Sequence, residues 1–224
     1  YSEVSLSGVA AVNQIQFIYQ QLLTAAGDGM VIFCSQYWGK KQLEPVKKIA
    51  ATAMHTGLVF AAALFLAVSL FPEQAVVLFT TDQAIIAEGV KYLSLIRFTY
   101  LFFAVTTILL ATLRSVEIVK IAFYLSVSTL VINCCINYVL IYGKFGAPRL
   151  GVTGAAVGTL VARIVECGAA LWYVLRKEPN LKMRISDYFR TDRLLRRDYF
   201  KTTVPMLIVQ GLWGLNTAMQ TVIL

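Results

Sequence analysis

Long runs without a single charged residue recur along the chain and predict helices that cross a membrane. Such runs cover residues 4–27, 49–72, 121–143 and 202–224, with a shorter one at 98–113. A helix needs about 20 mostly apolar residues to cross the hydrocarbon core of a bilayer, whereas helices of soluble domains average about 11–12 residues. The pattern therefore predicts an all-α membrane protein, built as a multi-span helical bundle.

Turn-forming and charged residues divide these runs into six predicted spans. Pro72 ends the second span, and the sequence GKFGAPRLG, rich in Gly and Pro, separates the fourth from the fifth. The spans cover about 8–37, 49–71, 87–113, 121–142, 152–175 and 202–224. The chain begins without Met and stops inside the sixth apolar run, so we expect an internal piece of a longer transporter or channel.

Composition and charge agree with this prediction and add an orientation. Of the 224 residues, 58% are hydrophobic and only 14% charged, where a soluble domain carries about a quarter charged residues. Segments 40–48, 114–120 and 176–201 hold four, two and nine Lys or Arg, while 1–8, 73–91 and 144–149 hold none, one and two. The positive-inside rule therefore places the first three segments in the cytoplasm.

The basic segment 176–201 has two interpretations. Its apolar residues fall loosely on one helical face, which would suit a linker lying on an anionic leaflet. These residues are Ile185, Tyr188, Phe189, Leu195 and Tyr199. The favoured alternative is a solvated connector between two spans, and a nucleic-acid role is disfavoured because the charge borders spans directly.

Two polar stripes inside the spans are the main candidates for function. On the first span, Gln21 and Asp28 are seven residues apart, and on the fourth span Thr129, Asn133 and Asn137 share a face. A carboxylate at the centre of a membrane helix costs about 2.5–3.5 kcal/mol to insert, so Asp28 should meet a cavity or a partner. Burial for packing and hydrogen bonding between helices are the structural alternatives.

Arg163 and Glu166 on the fifth span are three residues apart and are predicted to pair as a structural clamp. Arg97 would either snorkel to the outer surface or pair with a distant acid. The sequence shows no nucleophile–base arrangement, phosphate loop or metal-ligand spacing. We therefore expect neither an enzyme nor a metal site.

Two stretches of the chain, GDGMVIFCSQYWGKK at the end of the first span and INYVLIYGKFGAPRLGVTGAAVGTLVARIVE across the fourth and fifth, carry a family resemblance. The first resembles the second helix, and the other the fifth and sixth helices, of the multidrug and toxic compound extrusion (MATE) transporters, particularly the NorM-like bacterial branch. ATLRS is similar to the close of the fourth helix, and VPMLIVQGLWGLN to the opening of the seventh. The resemblance covers nearly all of the chain.

The resemblance implies a protein of twelve helices in two lobes. Residues 1–175 would supply helices two to six of the N-terminal lobe, 176–201 the linker between lobes, and 202–224 the start of helix seven. Helix one and the C-terminal lobe would belong to the rest of the same chain. Such proteins export organic cations and amphiphilic compounds from the bacterial cytoplasm, driven by inward Na⁺ or H⁺ rather than by a bound cofactor, through alternating access.

Two positions depart from the family pattern. Many members carry an aspartate where this chain has Asn137, and many carry a glutamate five residues after the helix-seven proline, where Gln210 follows Pro205. Asn133 aligns with an asparagine of the family's N-lobe cavity. Since amides do not titrate, the resemblance implies that these positions coordinate a cation or a substrate.

Two other functions stay open at this point. A lipid-linked oligosaccharide flippase of the same superfamily would be expected to have a strongly basic cavity, which Arg97 and Arg163 alone do not supply. A membrane scaffold, or a fragment without activity of its own, is the alternative outside transport.

Overall fold

The computed structural model describes residues 3–144, 148–177, 181 and 183–223, with side chains up to residue 220. Among them the regular structure is entirely helical. The α-helices are α1 (Glu3–Gly39), α2 (Leu43–Leu70), α3 (Pro72–Val77), α4 (Gln83–Ile96), α5 (Thr99–Ser115), α6 (Lys120–Tyr142), α7 (Val152–Trp172) and α8 (Arg193–Ile223). A π-helical turn, Tyr173–Lys177, extends α7, and a 3₁₀ turn, Ile185–Phe189, precedes α8. The predicted turn GKFGAPRLG lies partly outside the described residues.

Local sequence signals set several helix ends. Pro72 occupies the first turn of α3, where its missing N–H is tolerated. The Asp82 carboxylate caps α4 by accepting a hydrogen bond from the Ala84 amide at 2.8 Å. Gly143 ends α6 in the left-handed region at φ 65°, which a glycine adopts without steric penalty.

Helix α1 is the centre of the bundle and packs against α2, α4, α5 and α8. Small buried residues at its middle, Ala25, Ala26 and Gly27, allow these helices to approach closely. One apolar cluster lies around Val12, Leu23, Leu93 and Tyr100, and a second lies around Met30, Ile49 and Leu113.

The second cluster brings the three basic segments to one end of the bundle. Val46 comes from 40–48, Val116 from 114–120, and Leu181 and Tyr199 from 176–201, and all four are buried there. We call this end the basic side. Its composition agrees with the orientation that the charge distribution predicts.

The third predicted span, 87–113, is not one continuous helix, because α4 and α5 meet at a bend of 54°. The sequence has no Pro or Gly at the bend, but side-chain hydroxyls bond to backbone carbonyls there. The Thr99 hydroxyl donates to the Ile96 carbonyl at 2.6 Å, and the Tyr19 hydroxyl donates to the Tyr100 carbonyl at 2.7 Å. A Ser or Thr side chain that bonds the preceding turn is a known cause of helix bending.

The length and apolarity of the helices support membrane crossing for some of the six predicted spans. Within the described residues, α2, α6 and α7 with its π turn are long and apolar enough to span, and the bent α4–α5 pair is a fourth candidate. Helices α1 and α8, with 37 and 31 residues, are long enough but more polar. The predicted all-α membrane bundle is confirmed, while the spanning of α1 and α8 stays a prediction.

The segment between α7 and α8 packs on the bundle, and α8 begins at Arg193, before the predicted span start at 202. Lys47 of α2 pairs with Asp187 at 3.4 Å, Lys48 pairs with Asp192 at 3.9 Å, and the Tyr199 hydroxyl donates to the Ala26 carbonyl at 3.0 Å. Desolvation alone would raise the pKa of Asp187, but hydrogen bonding to the Arg184 amide and the Lys47 charge outweigh it, so this pKa lies below its ordinary value.

The apolar residues of this segment do not form the single helical face on which the leaflet-bound alternative depends. Tyr199 is fully buried, whereas Ile185 and Phe189 are exposed. The reason is that the chain is not one helix here: a 3₁₀ turn and an extended stretch at Arg190 separate these residues from α8.

A polar cleft between α6 and α7

A polar cleft of about 390 Å³ opens between α6 and α7. Its residues recur with the same helical spacing on the two helices, so each helix presents one face to the cleft. They are Ser126, Thr129, Leu130 and Asn133 of α6, and Thr159, Ala162, Arg163 and Glu166 of α7. Asn133 lies about 20 Å along α6 from Lys120, on a helix about 34 Å long, so the cleft lies near the middle of a helix long enough to span a membrane.

A chain of hydrogen bonds leads from the two α6 asparagines to α7, and each side chain in it donates to the next. The Asn137 Nδ2 donates to Asn133 Oδ1 at 2.9 Å, and Asn133 Nδ2 donates to the Thr159 hydroxyl at 3.2 Å. Thr159 in turn donates to the Ala155 carbonyl at 3.0 Å. The chain of bonds holds the Asn133 side chain between the two helices, which fixes the polar face of the cleft.

Asn137 supports this chain but does not line the cleft. Its Oδ1 is buried and has no hydrogen-bond partner among the described residues. A Cβ at position 158 would overlap this oxygen, so only a glycine permits the contact between Asn137 and α7. Asn133 therefore lines this cleft, whereas Asn137 is directed against the α7 backbone, and the role of both asparagines in transport stays a prediction.

Arg163 and Glu166 pair within α7, with 2.7 Å between Nη1 and Oε2. Glu166 is 5% exposed, and the Arg163 guanidinium also stacks over the Phe103 ring of α5, 4.7 Å from its centroid. The pair lies in the cleft wall, so the residues expected to be only a structural clamp also form part of the candidate site. A pair of this kind leaves the cleft without net charge.

The other candidate residues lie elsewhere. Asp28 pairs with Arg114, at the α5 end on the basic side, with 2.9 Å between Oδ1 and Nη2, and both side chains are partly exposed. Gln21 packs against Gly214 of α8, and Gln210 is half-buried on α8. None of Asp28, Gln21 and Gln210 lines the α6–α7 cleft.

Two polar cleft residues, Ser126 and Thr159, were not predicted from the sequence. Thr159 lies four residues before Arg163 on the same face of α7, and this spacing is the signal that could have indicated it. Buried Tyr92 of α4 lies beside Thr159, which connects the cleft to the centre of the bundle.

Arg97, at the bend between α4 and α5, stacks against Phe98 and Phe65, with its guanidinium 5.2 and 5.8 Å from their ring centroids. Among the described residues it has no acidic partner within ion-pair distance. Aromatic stacking is the contact that these residues provide, and both alternatives for Arg97 stay predictions.

The described helices thus define a multi-pass helical membrane protein with a neutral, amide-lined cleft. The MatE family model matches residues 1–139. The chain belongs to the MatE family, and the resemblance noted in the sequence is confirmed.

Known proteins match most of this chain. A probable multidrug resistance protein NorM of Thermotoga maritima is 28% identical over 185 residues, which is 82% of this chain and 39% of that protein. Outward-facing and inward-facing structures of a MATE family transporter align with TM-scores of 0.82 and 0.83, both at 15% identity. They cover 93% and 95% of this chain but 46% and 47% of their own.

Two consequences follow from these matches. The chain spans less than half the length of the relatives it matches. The outward-facing and inward-facing structures fit the fold of this chain almost equally well.

Proposed function

We propose that the chain forms most of one lobe of a secondary active exporter in the bacterial cytoplasmic membrane. The exporter moves organic cations or amphiphilic xenobiotics outward in exchange for inward Na⁺ or H⁺. Family membership and the multidrug resistance name of the Thermotoga relative support this proposal. The observation that carries it is the α6–α7 cleft, with its hydrogen-bonded amides and its single internal ion pair.

The cleft offers oxygen ligands suited to a small cation. The Ser126 and Thr129 hydroxyls, the Asn133 amide and the Glu166 carboxylate share its walls. Oxygen donors of this kind are the ligands that hard cations prefer. The amide and hydroxyl groups stay neutral at any physiological pH, so Glu166 is the only carboxylate among the lining residues that can exchange a proton.

The ion pair between Arg163 and Glu166 regulates access to the cleft. Arg163 occupies the Glu166 carboxylate at 2.7 Å, so Na⁺ or H⁺ must compete with the guanidinium for that oxygen. When a cation or a proton occupies the carboxylate, Arg163 keeps its favourable contact with the Phe103 ring. Cation entry and the release of Arg163 are thereby linked.

The test is dye efflux from vesicles containing the full-length protein, with Na⁺ and pH gradients imposed separately. Asn133→Ala removes the central link of the amide chain and should reduce efflux by about tenfold or more, equivalent to about 1.4 kcal/mol. Asn137→Ala should have a smaller effect of the same sign, because Asn137 acts by holding Asn133.

The matched control is Asn13→Ala, which removes an exposed amide of α1 that does not line the cleft. Its efflux should equal that of the unmodified protein. Unchanged efflux and ion dependence in both Asn133→Ala and Asn137→Ala would remove the cleft from the transport mechanism.

A further inference from the structure

A second groove, of about 400 Å³, lies between α2 and the start of α8, on the basic side and apart from the α6–α7 cleft. It is formed by two elements that are far apart in sequence. Its lining residues are Thr52, His55, Thr56, Val59 and Phe60 of α2, together with Thr191, Arg196 and Phe200.

The groove changes from polar to apolar along the membrane normal. Thr191 and Arg196 lie nearest the basic side, at the start of α8, while Phe200 lies one turn further along that helix. On α2, Val59 and Phe60 lie about two turns beyond Thr52, away from the basic side. Val59 is 65% exposed and Phe200 37% exposed, so both are available to an apolar ligand.

The exposed polar groups at this end can all donate hydrogen bonds. Thr52 and Thr56 donate their hydroxyls to the Lys48 and Thr52 carbonyls, both at 3.0 Å, and leave only lone pairs for a ligand. Arg196, His55 and Thr191 are exposed, and they supply the remaining donors. A ligand that satisfies this end must therefore accept hydrogen bonds.

The charge at this end is positive and unbalanced. The nearby acids are already engaged, because Asp192 pairs with Lys48 at 3.9 Å and Asp187 with Lys47 at 3.4 Å. Arg196 has no acidic partner within ion-pair distance among the described residues. An exposed guanidinium at membrane-surface depth attracts a phosphate, which it can bind through two parallel hydrogen bonds.

We propose that this groove binds one anionic phospholipid of the cytoplasmic leaflet. Its phosphate lies against Arg196 and Thr191, and one acyl chain follows Val59, Phe60 and Phe200. The bound lipid contacts α2 and α8 at once, so it fastens the start of α8 to the rest of the bundle. The proposal concerns a site separate from the transport cleft and does not depend on the function of that cleft.

The experiment measures lipid bound to the purified full-length protein by native mass spectrometry. Phosphatidylglycerol and phosphatidylcholine with identical acyl chains are compared, and phosphatidylglycerol should bind more tightly. Arg196→Gln should weaken phosphatidylglycerol binding by about fivefold, the effect of one basic residue near a membrane surface. Val59→Trp should weaken both lipids, because it fills the apolar half without changing charge.

Arg197→Gln is the matched control, since it removes an equal charge from the next, also exposed, residue, which does not line the groove. It should leave binding within about twofold of the unmodified protein. Equal losses in the Arg196 and Arg197 variants would show a diffuse surface effect and would overturn the proposal, as would no loss in either. Displacement of the lipid by excess inorganic phosphate would identify a small-anion site instead and would equally overturn it.

Discussion

The ion pair between Arg163 and Glu166 gives the sharpest test of how the cleft is held together. Glu166 is only 5% exposed and depends on the Arg163 guanidinium, 2.7 Å away, for its charge compensation. Arg163 is less dependent on its partner, because its side chain is 22% exposed and stacks on Phe103. Removing the arginine should therefore do more damage than removing the acid.

The magnitudes follow from this asymmetry. Arg163→Met leaves a buried carboxylate without its cation, and breaking a buried pair in this way costs about 3–5 kcal/mol. Glu166→Gln leaves a partly exposed guanidinium on an aromatic ring and should cost about 1–3 kcal/mol, the range for a polar group that loses its partner. The double change Arg163→Met with Glu166→Leu removes both charges and should recover most of the loss.

Thermal unfolding of the full-length protein in detergent measures all three variants. Arg163→Met should show the largest loss of stability, Glu166→Gln a smaller loss, and the double variant the smallest. Equal losses for the two single variants, or a double variant as unstable as Arg163→Met, would refute the assignment of Glu166 as the dependent partner.

Three further changes test other parts of the structure. Gly158→Ala should destabilise the protein by about 1–3 kcal/mol in thermal unfolding, because the added Cβ overlaps Asn137 Oδ1; an unchanged Tm would contradict the close contact. Asp187→Asn should destabilise at neutral pH, and the difference should shrink as the pH falls below about 4 and disappear below the lowered folded-state pKa, because the protonated carboxyl no longer gains from Lys47; a difference that persists undiminished in strong acid would exclude the pair with Lys47 as its source. Asp28→Asn should change stability by less than about 1 kcal/mol, as expected of a partly exposed pair; in the vesicle assay, complete loss of efflux by a stable variant would instead assign Asp28 to transport.

The parts of the site that were predictable from the sequence depend on short-range geometry. Asn133 and Asn137 are four residues apart and Arg163 and Glu166 three, so helical spacing alone brings each pair together. Thr159 could not be assigned in this way, because its bond to Asn133 depends on which face of α7 meets α6. The same limit applies to Asp28, whose partner lies 86 residues away.

The fold shows the same division between local and distant causes. Uncharged runs predict the long helices because apolar length is sufficient to cross a membrane. The bend at Thr99 depends partly on the Tyr19 hydroxyl, which comes from another helix and reaches the Tyr100 carbonyl. Likewise, the burial of Tyr199 follows from its bond to Ala26, 173 residues earlier, and no local periodicity indicates it.

The amide at position 137 has a physical consequence for the proposed exporter. Asn137 holds Asn133, which lines the cleft, through a bond that no pH change breaks, so the polar wall keeps its shape when an ion arrives or leaves. The responsive element is then the Arg163–Glu166 pair, where a cation or a proton exchanges places with a guanidinium that has Phe103 as an alternative contact. The ion pair can therefore respond when a cation or a proton binds in the cleft, while the amide wall opposite it keeps its shape. The motion that follows would start at α7, because this helix carries Arg163 and packs against α5.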